Sequence, residues 1–419
     1  MIERTLTPNT YKIDSIKFIE PIKLNITETV HLVWMKEVLD NTARVEFHFD
    51  AGSIHGELKI ASFVNNLLFS GTPSKTSKEI NHTLDYLGAF TQLEIGQEIA
   101  SVSLFCLKDQ LAEALSIVID AIQNVSFPED EINDMLREKK QQFLIGNERV
   151  SVLARKKFQQ ELFQSEKNYS RTTELEDYDH VSIEELKKFH QKNYLNGLRK
   201  IVVVGNISES SIETLIQKTS PWATKSEKTY ASNFKNNIGH FHIEKKDSVQ
   251  TAIRLGFPLF NKTHTDFIDF QILQTILGDY FGSRLMSNIR EEKGYTYGIG
   301  CTAIETKNTG YFVIATEVGG EFVEKTLNEI NYEIGRLKNE VIPDEELNLV
   351  KNYLMGQLLK SADGPNAMTD LYLSVQAHEL NYDYYTKCIT RINTITAAEL
   401  MKVAKKYLNY EQATIVTAG

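Results

Sequence analysis

Apolar and polar residues alternate in several short stretches of the chain, and longer stretches between them carry apolar residues at helical spacing. In Thr42–Ala51 every second position, from Ala43 through Val45, Phe47 and Phe49, is apolar. Such alternation predicts a strand with one buried face. Ala89–Glu94, Glu98–Leu107, Gln250–Phe257, Tyr295–Glu305 and Gly310–Glu317 read the same way. Helices with an apolar face are predicted over Leu58–Phe69, Lys108–Gln123, Glu129–Asn147 and Thr265–Leu277. Pro128 and Pro343 are each followed by acidic residues, which places both in the first turn of a helix. Strands mixed with long helices predict an α+β fold, with helices packed on an antiparallel sheet.

The pattern occurs twice. Phe127-Pro128-Glu129-Asp130-Glu131-Ile132 returns as Ile342-Pro343-Asp344-Glu345-Glu346-Leu347, and Val181-Ser182-Ile183-Glu184-Glu185-Leu186 as Ile395-Thr396-Ala397-Ala398-Glu399-Leu400. Each copy runs on through a helix to a closing strand, Ile201–Gly205 or Thr414–Gly419, and the matches lie 213 to 215 residues apart. A repeat of that length is a duplicated domain rather than a solenoid unit. The polar stretch Ser220–Asn237 has turn residues and no period, so it reads as a linker. The expected domains are 1–219, the linker 220–237, and 238–419.

A chain of 419 residues, 42% hydrophobic and 24% charged, buries a large core without disulfides. Cys106, Cys301 and Cys388 form no C-x-x-C pair and read as small buried apolar residues. The net charge of −10 argues against nucleic acid as a partner and suits weak attraction of basic peptides. No window is apolar enough for a membrane span, and Met1–Leu6 lacks the pattern of a secretory signal. The expected location is therefore the cytoplasm.

The segment Ala61-Ser62-Phe63-Val64-Asn65-Asn66-Leu67-Leu68-Phe69-Ser70-Gly71-Thr72 resembles the H-x-x-E-H helix of the pitrilysin/insulinase and mitochondrial-processing-peptidase family of zinc peptidases. In that family two His, four apart on one helix face, bind zinc, and the Glu is the general base. Here Ser62 and Asn66 stand for the His residues and Asn65 for the Glu. The resemblance places the third ligand, a Glu, at Gln142. A hydroxyl and amides supply neither the basic donors that zinc requires at neutral pH nor a proton acceptor. No metal is therefore expected in this chain.

The second half carries Leu277-Gly278, Ser283-Arg284-Leu285 and Ile289-Arg290-Glu291 followed by Gly294 and Tyr297, similar to the family's block L-G-x-x-x-x-S-R-L-x-x-x-I-R-E-x-x-G-x-x-Y. Leu285 and Ile289 fit one face of a helix, and Gly294 fits its C-terminal cap. Read locally, Arg290 is a solvated helix-end residue and Tyr297 a sheet residue. The resemblance implies instead that they bind substrate and polarise the scissile carbonyl, chemistry that suits a guanidinium and a phenol. Leu87–Gln92 is similar to the family's edge strand, which takes extended substrate by strand addition; a covered edge is the other reading. His240 and His242 share a strand face, but no third ligand lies nearby in sequence. His31, His48 and His55 are isolated in the chain, where ordinary surface or core roles are expected.

The resemblance implies two homologous domains arranged as a clam shell. It also implies the non-catalytic subunit of a heterodimeric zinc endopeptidase. Zinc and an intact H-x-x-E-H would come from a homologous partner subunit, and Arg290, Tyr297 and half of a peptide chamber from this chain. The alternative is a structural or peptide-binding scaffold of the same fold, with no part in proteolysis.

Overall fold

The computed structural model describes residues 13–36, 41–57, 59–223 and 230–419. The start Met1–Leu6, Leu58 and the middle of the expected linker lie outside these. The first half runs β1 (Ile22–Asn25), β2 (His31–Met35), β3 (Thr42–Phe49), α1 (Ile60–Leu67), α2 (Ser77–Tyr86), β4 (Phe90–Ile95), β5 (Ala100–Leu107), α3 (Leu111–Asn124), α4 (Glu129–Asn147), α5 (Val150–Leu162), α6 (Lys167–Ser170), α7 (Ile183–Asn193), β6 (Leu198–Val204) and α8 (Glu209–Thr219). The second half runs β7 (Gly239–Ile243), β8 (Gln250–Leu259), α9 (Phe267–Gly278), β9 (Thr296–Glu305), β10 (Gly310–Gly319), α10 (Val323–Asn339), α11 (Asp344–Ser361), α12 (Pro365–Gln376), α13 (Asp383–Thr394), α14 (Ala397–Tyr407) and β11 (Thr414–Ala418).

The two sheets share one plan. The first has the order β1-β2-β6-β3-β5-β4 and the second β7-β11-β8-β10-β9, so β1 is the one addition. The duplication extends to helix starts. Ser182 and Thr396 each accept a hydrogen bond from the backbone three residues on, at 3.3 Å in both cases. Pro128 and Pro343 occupy matching sites, but as the residues just before α4 and α11 rather than inside the first turn.

The sheets are mixed, not antiparallel. The closing strand of each half enters between a short early strand and the long one that follows it, and pairs parallel with the short one, β6 with β2 and β11 with β7. A parallel neighbour requires a long crossover, which the intervening helices provide. The expected first strands, at Thr42 and Gln250, are in fact preceded by β2 and β7. β2 is buried almost throughout and so shows no alternation, whereas β7 alternates and carries the strand face read at His240 and His242.

Each half has its own core, around Phe47, Phe63 and Val203 in the first and around Phe270, Phe312 and Leu400 in the second. Two further clusters join the halves. Helix α5 leaves the first half and lays Ala154 and Phe158 against Ala252, Val313 and Val416 of the second sheet. Helix α12 does the reverse, setting Tyr372 and Val375 against Val33, Met35, Val202 and Val204 of the first. Gly256 makes room for the first of these crossings, because a Cβ there would lie 2.8 Å from Phe158 Cζ and 2.2 Å from Phe312 O.

The expected linker is more than a tether. Trp222 is buried in the first core, and Phe234 meets Phe163 with ring centroids 4.4 Å apart. Asn236 Nδ2 donates to Gln412 O and Thr414 Oγ1, both at 3.0 Å. At the other end of the chain, Ile13 and Ile16 pack on the second core, and Phe18 stacks on Tyr382 at 4.2 Å. No helix among the described residues is long and apolar enough to cross a membrane. The three cysteines are buried and unpaired.

Candidate functional site

Helix α1 carries the residues that stand for the zinc ligands. Its apolar face is fully used, with Ile60, Ala61, Phe63, Val64 and Leu67 buried. Ser62 and Asn66 lie one turn apart on the other face, as their spacing predicts. Asn66 Nδ2 donates to Ser62 O at 2.7 Å, with Ser62 Oγ at 3.4 Å. Asn65 points the other way. It is 1% exposed, and its Oδ1 accepts from the buried Tyr194 hydroxyl at 2.9 Å. Gln142, on α4, is held by its own helix: Nε2 donates to Glu138 Oε1 at 2.7 Å, and Oε1 accepts from Lys139 at 3.2 Å. Ser62 and Gln142 line one cavity of about 810 Å³.

The donors in this set do not fit zinc. A serine hydroxyl and two primary amides are neutral, weakly basic oxygen ligands, and Asn65 faces the core. Among the described residues no three His, Cys, Asp or Glu come together to hold a metal. His240 and His242 both meet the Thr417 hydroxyl instead, at 3.0 and 2.9 Å. His48 is not isolated, since its Nε2 lies 2.6 Å from Glu46 Oε1. Burial opposes the charge on Glu46, but His48 and Arg44 outweigh it and hold the carboxyl at about 2.

The cavity beside Ser62 is cationic. Lys59, Lys139, Arg155, Lys156, Arg171 and Arg254 all line it, and Glu57 is the one acid among its lining residues. Arg155 and Arg254, from α5 and β8, form no ion pair among the described residues, and Glu317 acts on Arg254 from farther away. Burial lowers the pKa of Arg254 and Arg155 adds to this, while Tyr311 and Glu317 oppose it in part. Burial also lowers that of Lys59; Asp177 offsets part of this, and Lys156, Lys139 and Arg155 push it down further. Lys59 holds a left-handed backbone at φ +75°, which costs about 1–2 kcal/mol for a residue with a Cβ. The motif comparison missed this lining. The basic runs at 137–140 and 155–157 were the available signal, but Arg254 reaches the cavity only through the fold.

Arg290 and Tyr297 lie elsewhere, and neither lines that cavity. The helix expected around Arg290 is a π-helix over Met286–Glu292. Its lead-in is clamped by Arg284, whose Nε and Nη2 donate to the two Glu346 oxygens at 2.8 Å each. Leu285 and Ile289 are buried, as expected of one face. Gly294, at φ +66°, ends the segment. Arg290 stacks its guanidinium over Phe281 at 4.6 Å, and its Nη1 lies 2.8 Å from Glu291 without hydrogen-bond geometry.

Tyr297 sits on β9, at the edge of the second sheet. The β9–β10 register slips between Thr316 and Val318, so Tyr297 and Gly298 together oppose Glu317. This bulge turns Tyr297 outward until it is 92% exposed. Hydroxyls fix the bulge: Thr316 Oγ1 donates to Gly298 O at 2.9 Å and Thr296 Oγ1 to Glu317 O at 2.7 Å. Both residues of the expected pair are thus carried on irregular backbone, of the kind that recurs at functional sites. The segment that resembles the family's edge strand does lie at an edge, as β4.

Known proteins are similar along most of the chain. Residues 33–166 match the insulinase family (peptidase family M16), and residues 180–354 match the peptidase M16 inactive domain. An uncharacterized zinc protease of Rickettsia bellii is 26% identical over 366 residues, covering 84% of this chain and 85% of that protein. A probable inactive metalloprotease of Bacillus subtilis, YmfF, is 18% identical over 240 residues, covering 56% of this chain and 55% of that one. The crystal structure of a peptidase M16 inactive domain from Pseudomonas fluorescens superposes with a TM-score of 0.85 at 22% identity, over 95% of this chain and 98% of that one. With the doubled mixed sheets and the altered H-x-x-E-H helix, these matches give one conclusion: the chain belongs to the M16 (insulinase/pitrilysin) peptidase family.

Proposed function

We propose that this chain is the non-catalytic subunit of a heterodimeric zinc endopeptidase, with a homologous partner that holds zinc in an intact H-x-x-E-H. The observation that carries this reading is the position of Tyr297. It is almost wholly exposed, on a bulge held by two threonine hydroxyls, and its own hydroxyl makes no hydrogen bond among the described residues. An exposed phenol, with a half-buried guanidinium on the π-helix that precedes its strand, suits a substrate carbonyl held by a second subunit. The donor set around Ser62 supports the other half of the reading, because it supplies neither metal ligands nor a base. The kinship with a probable inactive metalloprotease agrees with it. In the complex, the duplicated unit, read as 1–219, 220–237 and 238–419, forms one shell of a clam-shell peptide chamber. The zinc partner forms the other.

The test is reconstitution. A homologous chain with intact H-x-x-E-H from the same organism is mixed with this one, and peptide cleavage is measured for each alone and for the mixture. Cleavage is expected only in the mixture. Arg290→Ala or Tyr297→Phe should lower kcat by about 10²–10³-fold. A mixture whose cleavage ignores both substitutions would leave the chain as a scaffold of the same fold.

A further inference from the structure

The net charge of the chain is −10, yet the described residues that line the cavity beside Ser62 and Gln142 include six cations and one acid. A field of that sign is costly to maintain. Lys156 and Arg171 do have acids at the rim, Glu174 at 3.4 Å and Glu57 at 3.8 Å. Those acids are 60% and 80% exposed, so solvent screens much of their effect. Arg171 Nε is buried with no hydrogen-bond partner. Arg155 and Arg254 arrive from opposite halves of the molecule, Arg155 on the crossing helix α5 and Arg254 on the strand beneath it. Like charges brought together from two halves, with Glu317 and Asp177 acting on Arg254 and Lys59 only in part against them, fit a site that awaits an anion.

From this arrangement we infer that the cavity at the former metal position is a receptor for acidic peptide segments, bound through their carboxylates by Arg155, Arg254, Lys59 and Lys139. Size favours a peptide over a single small anion. About 810 Å³ is the volume of clefts that enclose drug-sized ligands. The walls also include Phe143, Tyr178 and Tyr311, which offer apolar contact between the charges. Ile95, Gly96 and Gln97, where the edge strand β4 ends, border the cavity, and the outer side of β4 has no strand partner among the described residues. An extended segment can therefore run from this edge into the cationic lining. Guanidinium groups bind carboxylates in paired geometry, which here takes the place of the attraction a divalent metal would exert on a carbonyl. The binding needs no second subunit, so it stands or falls apart from the role of Arg290 and Tyr297.

The experiment uses the isolated full chain and fluorescence anisotropy with two labelled peptides, one rich in Glu and Asp and one with the same residues as Gln and Asn. The acidic peptide should bind about tenfold tighter or more, and the difference should shrink as salt rises from about 50 to about 300 mM. Arg155→Gln with Arg254→Gln should cut the acidic peptide's affinity about tenfold and leave the amide peptide's unchanged. Lys139→Gln, on a partly exposed helix face, makes the same comparison without touching the junction of the halves. Lys387→Gln, at an exposed position outside the cavity lining, should have no effect on this binding. Equal affinity for the two peptides, or unchanged binding in both sets of variants, overturns the inference. Full displacement of the peptide by an equimolar amount of inorganic phosphate would overturn the assignment to a peptide.

Discussion

Tyr194 donates its hydroxyl to Asn65 Oδ1 at 2.9 Å, inside the first core, where both residues are essentially inaccessible. The position that resembles a general base is therefore spent on the interior. Asn65→Ala would strand a buried phenol hydroxyl, at a cost of about 1–3 kcal/mol. Tyr194→Phe in that background should recover part of the loss, because it removes the unsatisfied group as well. Urea denaturation of the two single variants and the double variant checks this as a thermodynamic cycle. Additive losses would mean that the two side chains are not coupled.

Restoring metal ligands separates binding from catalysis. Ser62 and Asn66 share the helix face that borders the cavity, and Gln142 lines the same cavity as Ser62. Ser62→His with Asn66→His and Gln142→Glu therefore supplies two imidazoles and a carboxylate. After dialysis against zinc, the triple variant should retain about one equivalent by elemental analysis and the parent chain none. With Asn65 still turned into the core, the variant should hold zinc without cleaving peptide.

Stability should depend on pH at both ends of the range. Glu46 is held at about 2, below its ordinary 4.5, because His48 and Arg44 outweigh the effect of burial. Its contribution is complete above pH 4.5 and is lost as pH falls towards 2. Glu46→Gln should lower stability by about 3 kcal/mol at neutral pH and flatten the acid limb of the profile. Lys200 is brought down to about 8 by burial and then by Lys307, with Lys23 adding to it and Glu46 opposing. Its folded charge is penalised below pH 8, and the penalty fades between pH 8 and 10.5, so Lys200→Met should reduce the alkaline gain in stability. Thermal midpoints across pH, with both variants, measure the two limbs.

The crossing of α5 ties the two cores into one transition. Phe158, 3% exposed, lies in the cluster that joins the halves, and Phe158→Ala should cost about 3–5 kcal/mol. Both tryptophans, Trp34 and Trp222, belong to the first core, so their fluorescence reports on that half while circular dichroism reports on the whole. The two unfolding curves should coincide in the parent chain and shift together in the variant. Curves that separate would show halves that unfold independently.

Long elements were legible in the sequence, and α4 runs over Glu129–Asn147 as its pattern predicts. The duplication was legible too, because Ser182 and Thr396 repeat a capping residue whose role is local. The parallel pairings of β6 and β11 were not, since the alternation of side chains is the same whichever way a neighbour runs. Around Arg290, Leu285 and Ile289 fit an α-helix as well as the observed π-helix, and side-chain spacing does not distinguish the two over seven residues. The bulge at Tyr297 depends on hydroxyls of Thr296 and Thr316, residues that alternation treats as ordinary strand positions. Ser62, Asn65, Asn66 and Gln142 were singled out by resemblance to the family's zinc-site residues. The cationic cavity beside them was not legible, because its charges come from five segments that meet only in the folded chain.

The exchange of α5 for α12 bears on how such a chain can change over time. Each copy of the duplicated unit roofs the other, so deleting either would strip the survivor's sheet to water. Side chains that once served chemistry can drift at little cost to this mutual cover, while the backbone that carries them stays indispensable. That is how a first half with Ser62, Asn65 and Asn66 on the helix that resembles the family's zinc helix can persist whole: it remains the lid and the floor of its twin.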